Sequence, residues 1–377
     1  MSYRWAVLAA GTFAQAPFST VAFALAVLAP ALREAYDLSL TEIGIVLAAE
    51  WVGLTLSLLP WGFAVDRFGE RWTLALGLTL CAACLTGAAF SPSFEWLVLF
   101  LGLGGIAGGS VQSGSGRAVM RWFSARERGF ALGVRQTAVP LGGLVAAVVL
   151  PLLETPRAGL LFLAGFVLVG ALAGALVLRS GTEEHIEAAD VEITLRDRRL
   201  WLACWGSGLY LVAQVAMMGF LVLFLHDEHG FSNAEAAAVF GVGQLLAGAL
   251  RLAVGRWSDV VRARVRPLRQ IGVAVTLTLA AVAVLAEASP WLLVPALVLA
   301  TGISMAWNGL AYTVAAELGG RRSGAAIGFQ QTVISAIGIG APVLFAGVVS
   351  RASWAAAFGL SALFPLAGAW LLRPLRD

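Results

Sequence analysis

The chain has 377 residues, 59% hydrophobic and 12% charged, with a net charge of +3. A soluble domain carries about 25% charged residues, so an ordinary globular enzyme is excluded. All 25 basic residues are arginine and are spread over loop ends, so the small positive balance offers no nucleic-acid surface.

A bilayer core about 30 Å thick needs roughly 20 apolar residues per helix. Apolar runs with polar breaks predict twelve such helices: 5–32, 41–65, 71–90, 94–120, 129–153, 158–178, 200–225, 234–257, 268–287, 291–317, 323–349 and 354–372. The first run is too long for a signal peptide and has no clear cleavage site, so it reads as helix 1. The 43 glycines suit close helix–helix packing in lipid. Gly104, Gly105, Gly108 and Gly109 in helix 4 are the densest group. Cys81, Cys84 and Cys204 lie in apolar helices without a second ligand pair, so they read as buried small residues, and no metal or cofactor is expected.

The longest polar stretch, 179–199, is acidic at its centre and basic at its flanks. It reads as a cytoplasmic linker between a six-helix bundle at 1–178 and a second at 200–377. With the N-terminus inside, Arg33, Arg157 and Arg351 fall outside and Arg117, Arg135 and Arg251 fall within helices. Every other arginine is then cytoplasmic, a strong positive-inside bias. The expectation is a multi-pass protein of the cytoplasmic (inner) membrane with both termini cytoplasmic.

Two signatures recur. Gly62-Phe-Ala-Val-Asp66-Arg67-Phe-Gly69-Glu-Arg71 follows helix 2, and Gly255-Arg256-Trp-Ser-Asp259-Val-Val-Arg262-Ala-Arg264 follows helix 8. Asp66 and Asp259 are 193 residues apart. Gly133-Val-Arg135-Gln136-Thr137 matches Gly328-Phe-Gln330-Gln331-Thr332 at an offset of 195. Two matches at nearly the same offset imply a duplicated half, and a duplicated membrane bundle suggests a transporter with its site between the halves.

The first signature, its degenerate second copy and Arg126-Glu127-Arg128-Gly129 entering helix 5 resemble the major facilitator superfamily over essentially the whole chain. The second copy departs from the pattern: Val261 stands where a glycine is expected after the aspartate, which puts its tight turn in question. The resemblance implies an all-α fold of twelve helices in two pseudo-symmetric bundles that rock about a central cavity. It names no substrate.

The aspartates sit near arginines of neighbouring loops and near a helix start that favours negative charge. Asp66, Arg67, Arg71, Arg121, Arg126, Asp259 and Arg262 are therefore candidates for a gating network. A static loop staple is the alternative. Isolated exposed pairs are worth only about 0–1 kcal/mol, so a latch needs several charges.

An ionisable group at a helix centre costs about 2.5–3.5 kcal/mol on insertion scales, which makes it a functional candidate. Glu50, mid-helix 2, is the candidate proton carrier, since desolvation favours the neutral carboxyl; a salt bridge to a nearby arginine is the alternative. Arg251 in helix 8 presents a planar fork suited to oxyanions. Gly243-Gln244…Arg251-x-x-x-Gly255 resembles helix 8 of monocarboxylate- and oxalate-type transporters, where an arginine at this place binds the anion. The alternative is an arginine snorkelling to the interface. Arg135 and Gln136 face Gln330 and Gln331 across the repeat as cavity candidates, with helix-packing glue as the alternative. Arg117 reads as structural, and Gln112, Ser113 and Ser115 as weaker lining residues. Tyr210 and Gln214 share one helix face, as do Asn308 and Tyr312; they are candidates for a hydrogen-bonding wall opposite the arginines, with ordinary interhelical bonding as the alternative, and Gln244 is a substrate-binding candidate beside Arg251. No histidine lies mid-membrane.

The leading expectation is a secondary transporter of a small, carboxylate-like organic anion, with proton coupling at Glu50, acting as a monomer with no partner beyond substrate, protons and lipid. One alternative is an efflux antiporter for amphipathic drugs, favoured by the aromatic share and by Pro140-Leu-Gly142-Gly143. It is opposed by three intramembrane arginines beside one deep carboxylate. A neutral-solute carrier and a non-transporting membrane sensor are further alternatives. An enzyme is not expected, because no nucleophile–base set is visible.

Overall fold

The computed structural model describes residues 3–123, 131, 134–153, 155–177, 196–319 and 323–375. All regular structure among them is helical. Twelve spans are long and apolar enough to cross a membrane, the number the apolar runs predict. They are α1 (Tyr3–Tyr36), α2 (Leu40–Leu58), α3 (Arg67–Ala89), α4 (Phe94–Gln112), α5 (Val134–Leu152) and α6 (Pro156–Val177). The rest are α7 (Arg198–His229), α8 (Asn233–Val260), α9 (Val265–Val284), α10 (Pro290–Gly319), α11 (Gly328–Arg351) and α12 (Trp354–Leu371).

The backbone repeats at the same offset as the signatures. Helices α2 and α8 both open on a capping box. The Ser39 hydroxyl accepts from the Glu42 amide at 3.3 Å, while the Glu42 carboxylate accepts from the Ser39 amide at 2.8 Å. Ser232 and Glu235 repeat this at 3.3 and 2.9 Å. Each box satisfies otherwise orphaned amides at a helix start, and such a cap is worth about 0.5–2 kcal/mol.

Among the described residues, the four with positive φ also pair by 193. Asp37 (φ 53°) ends α1 as Gly230 (φ 67°) ends α7, and Gly69 (φ 78°) turns the first charged loop as Arg262 (φ 50°) turns the second. This corrects the expectation about Val261. The residue matching Gly69 is Arg262, and the tight turn forms there without a glycine.

Close packing fixes α2 against α4. A Cβ at Gly53 would lie 1.9 Å from the Gly102 carbonyl oxygen, and one at Gly105 would lie 2.3 Å from that of Glu50. Only glycine permits backbones to approach so closely. Gly108 and Gly109 likewise admit Phe18 and Ser57, whereas Gly104 meets only the side chain of Cys84, at 3.7 Å.

The chain divides into two compact units. One comprises Met1–Thr182 with Leu225–Gly241, and the other Glu183–Phe224 with Val242–Asp377. The end of α7 and the start of α8 thus join the first unit. Arg33 of α1 pairs with Asp227, Phe23 packs on Phe240 with centroids 5.8 Å apart, and Gly241 stands against Ala147 of α5.

Candidate functional site

In the first unit α5 starts with Val134–Gln136, turns at Thr137 and continues from Ala138. Arg135 is 6% exposed. Its Nε donates to Ser115 Oγ at 2.8 Å, and its Nη2 donates to Gln15 Oε1 and Gln112 Oε1, each at 3.0 Å. The Gln112 carbonyl accepts from the same nitrogen at 3.3 Å. Residues of α1 and of the helix that carries α4 on to Trp122 therefore hold this guanidinium in place. Gln136 is half-buried beside it. Thr137 turns its hydroxyl back to the Val134 carbonyl of its own chain segment.

Glu50 is 6% exposed. Among the described residues its carboxylate has neither a hydrogen bond nor an ion pair, and Cys81 of α3 is its electrostatic neighbour. The glycine contacts of α2 with α4 hold its backbone rigidly.

In the second unit α10 is not one helix. A turn at Met305–Trp307 separates Pro290–Ser304 from Asn308–Gly319. Non-helical backbone at membrane depth is tolerated where it is buried in protein or lines a cavity, because other groups can then satisfy it. The Nε of Arg251 donates to the Met305 carbonyl at 2.9 Å, and Asn308 Nδ2 donates to the same oxygen at 3.2 Å. The arginine is thereby directed into the helix bundle. Asn308 also donates to Gln214 Oε1 of α7 at 3.0 Å. Tyr312 is an electrostatic neighbour of Arg251, and its hydroxyl accepts from Gln331 of α11. One polar chain therefore joins α8, α10 and α11, and another joins α10 and α7.

Three further predicted residues sit deeper. Tyr210 is fully buried, donates to the Leu268 carbonyl of α9 at 3.2 Å and packs edge-on against Trp307. Its ring fills the space left by Gly272 and Gly368, which is interhelical bonding. Gln330 donates to Ser207 Oγ at 3.3 Å. Gln244 is 1% exposed, and neither its amide nitrogen nor its amide oxygen has a partner among the described residues.

The second charged loop is built around Arg264. It pairs with Asp259, bonds Glu317 Oε1 at 3.1 Å and donates to Ser258 Oγ at 2.8 Å. Burial opposes its charge, but the hydrogen bonds it donates to the Asp259 and Glu317 carboxylates outweigh that and raise its pKa above the ordinary arginine value. A cavity of about 490 Å³ opens here, lined among others by Asp197, Arg199, Asp259, Arg262, Arg264 and Glu317. In the first loop Arg67 lies over Phe68 and Arg71 over Trp72. The side chains of Asp66, Arg117 and Arg121, and all of Arg126, lie outside the described residues.

Twelve spans, repeated charged loops and a broken helix beside a half-buried arginine are the features of a transporter, and comparison with known proteins agrees. Residues 11–342 match the model of the Major Facilitator Superfamily. The chain belongs to that superfamily. It is 33% identical to an uncharacterized MFS-type transporter of Mycobacterium tuberculosis, Rv2994, over 99% of this chain and 85% of the relative. It is 24% identical to a probable sulfoacetate transporter of Cupriavidus necator, over 87% of this chain and 83% of that one. Among solved structures it resembles a bacterial homologue of the human lysosomal transporter Spinster. The TM-score is 0.79 at 16% identity, covering 99% of this chain and 97% of that one, which is likeness of fold alone.

For this superfamily member, sequence reading missed Gln15, Arg264 and Glu317. Gln15 is the lone amide in the first apolar run, a signal as clear as that of Glu50. Arg264 was within reach, since the offset of 193 carries Arg71 onto it. Glu317, by contrast, lies far from the signature in sequence and only folding brings it there.

Proposed function

We propose that this transporter carries a small organic anion, carboxylate-like, across the cytoplasmic membrane by rocker-switch alternating access, with Glu50 carrying a coupled proton and both termini in the cytoplasm. The observation that carries the reading is Arg251, whose guanidinium bonds the carbonyl at the break in α10. Broken helices in transporters gather where substrate and ions bind. A guanidinium presents a planar fork of donors that suits an oxyanion. Arg135 supplies a second positive charge, buried in the first unit. The relative named as a probable sulfoacetate transporter has an anion as its named substrate, which supports the same class. Glu50 supports proton coupling because it is buried and unpaired among the described residues. Asp259, Arg264 and Glu317 are the charges proposed to latch the second loop, and Asp66, Arg67 and Arg71 the first.

A thermal-shift screen of purified protein tests this. Bound ligand raises apparent stability by mass action. Carboxylates are expected to stabilise the protein, and sugars and lipophilic cations are not. Stabilisation by lipophilic cations alone would overturn the anion reading in favour of drug efflux.

A further inference from the structure

The spans of the second unit contain several side-chain amides, and most are matched. Gln214 bonds Asn308, Gln331 bonds Tyr312, and Gln330 bonds Ser207 through its nitrogen. Gln244 differs: it is 1% exposed and neither amide atom has a partner among the described residues. A buried amide left unmatched is costly, more so at membrane depth, so the position calls for a group that both donates and accepts.

Its place in the helix says where that group sits. Gln244 and Arg251 are seven residues apart in α8, two turns along one face. Arg251 on that face reaches the Met305 carbonyl of α10, and the adjoining Gly243 abuts Thr301 of the same helix. Seven residues rise about 10 Å, and helical side chains lean toward the N-terminal turn, so Arg251 leans toward Gln244. With hydrogen bonds of about 2.9 Å at each end, the interval fits a chain of about four to six carbons.

We propose that the substrate is a hydroxylated carboxylate, its carboxylate on Arg251 and a hydroxyl on Gln244, and that Gln244 sets this specificity. A hydroxyl is the complement of a free amide: it donates to Oε1 and accepts from Nε2. An apolar tail would leave both atoms unmatched, and a second carboxylate, lacking a proton to donate, would leave Oε1 unmatched. The inference rests on the anion reading of Arg251 and adds the substrate's second functional group.

The test compares gluconate with hexanoate, six-carbon acids of equal charge that differ in hydroxyls. Binding is measured to purified wild type, Gln244→Met, Gln244→Asn and Arg251→Ala. Wild type is expected to favour gluconate about tenfold or more, the size of one or two matched hydrogen bonds. Gln244→Met should erase that preference by weakening gluconate while leaving hexanoate unchanged, and its unliganded form should melt no lower than wild type, since a matchless amide has been removed. Gln244→Asn, which keeps a shorter amide, should keep part of the preference. Arg251→Ala should lose both acids. If wild type binds the two acids equally, or Gln244→Met keeps the preference, the role of Gln244 is overturned and the anion reading stands. If wild type binds neither acid nor any other anion, the anion reading itself falls and takes this inference with it.

Discussion

Gly69 and Arg262, 193 positions apart, both carry a positive φ, 78° and 50°, each three residues after the aspartate of its charged loop. Asp37 and Gly230 form a second such pair. Among the described residues, each half therefore has one glycine and one side-chain-bearing residue at positive φ, in opposite order. Duplication has kept the positive φ at these places while the residues that carry it diverged.

A left-handed backbone costs a residue with a Cβ about 1–2 kcal/mol. Gly69→Ala and Gly230→Ala should each lower stability by about that amount. Arg262→Gly relieves the strain but frees the unfolded chain, a cost of about 0.4–1 kcal/mol, so its stability should rise slightly or stay level. Melting curves of the purified variants decide; a clear loss in Arg262→Gly would mean that its side chain stabilises the loop.

Arg251 should be the main substrate contact. Removing one partner of a desolvated charge pair costs about 2–5 kcal/mol, roughly 30- to several-thousand-fold in affinity. Arg251→Lys keeps the charge and loses the fork, so it should bind worse than wild type and better than Arg251→Ala. Equilibrium binding in detergent, with folding checked separately, measures this. Wild-type affinity in Arg251→Ala would reduce the residue to a cap on the break in α10.

Glu50→Gln should abolish uptake driven by a pH gradient and leave substrate counterflow largely intact, because glutamine mimics the protonated acid. Paired assays in proteoliposomes separate the two modes. Full gradient-driven uptake in the variant would assign Glu50 to packing between α2 and α4.

The charged loops should bias which face of the transporter is open. Asp66→Asn and Arg264→Gln each remove one member of a network and should shift the two states without unfolding. Site-specific labelling with membrane-impermeant reagents on both faces reads the shift. Unchanged labelling with normal transport would make the loops static staples.

At the opposite end, Arg33 and Asp227 should hold the first unit's α1 to the end of α7. An exposed pair is worth about 0–1 kcal/mol, enough to shift a balanced equilibrium several-fold. Arg33→Ala, Asp227→Asn and the double variant should each raise labelling of a reporter cysteine in the outer half of α1, and their effects should not add. Additive effects would show that the two residues act independently.

The fold was legible because lipid imposes one requirement, some 20 apolar residues per span, and this chain meets it twelve times with short polar breaks. The repeat was legible in Asp66 and Asp259 but misaligned by one residue at Val261, because a glycine was sought where the backbone needs only φ above zero. Arg135, Arg251 and Glu50 stood out as charges in apolar runs. Their surroundings did not, since the partners are ordinary residues brought in by packing: Gln15, Ser115 and the main-chain carbonyl of Met305. A carbonyl has no signature in a sequence, and neither does a helix break within Ser304-Met305-Ala306-Trp307-Asn308, which lacks proline and glycine.

The Met305 carbonyl accepts from two side chains, Arg251 at 2.9 Å and Asn308 at 3.2 Å, while Asn308 also holds Gln214. An oxygen with a spare donor can release one without being orphaned. If Arg251 swings from Met305 to an arriving anion, Asn308 stays behind and the break remains satisfied. The break in α10 is then no obstacle to the arginine's change of acceptor. An arginine so placed can hold its ligand firmly and still let it go.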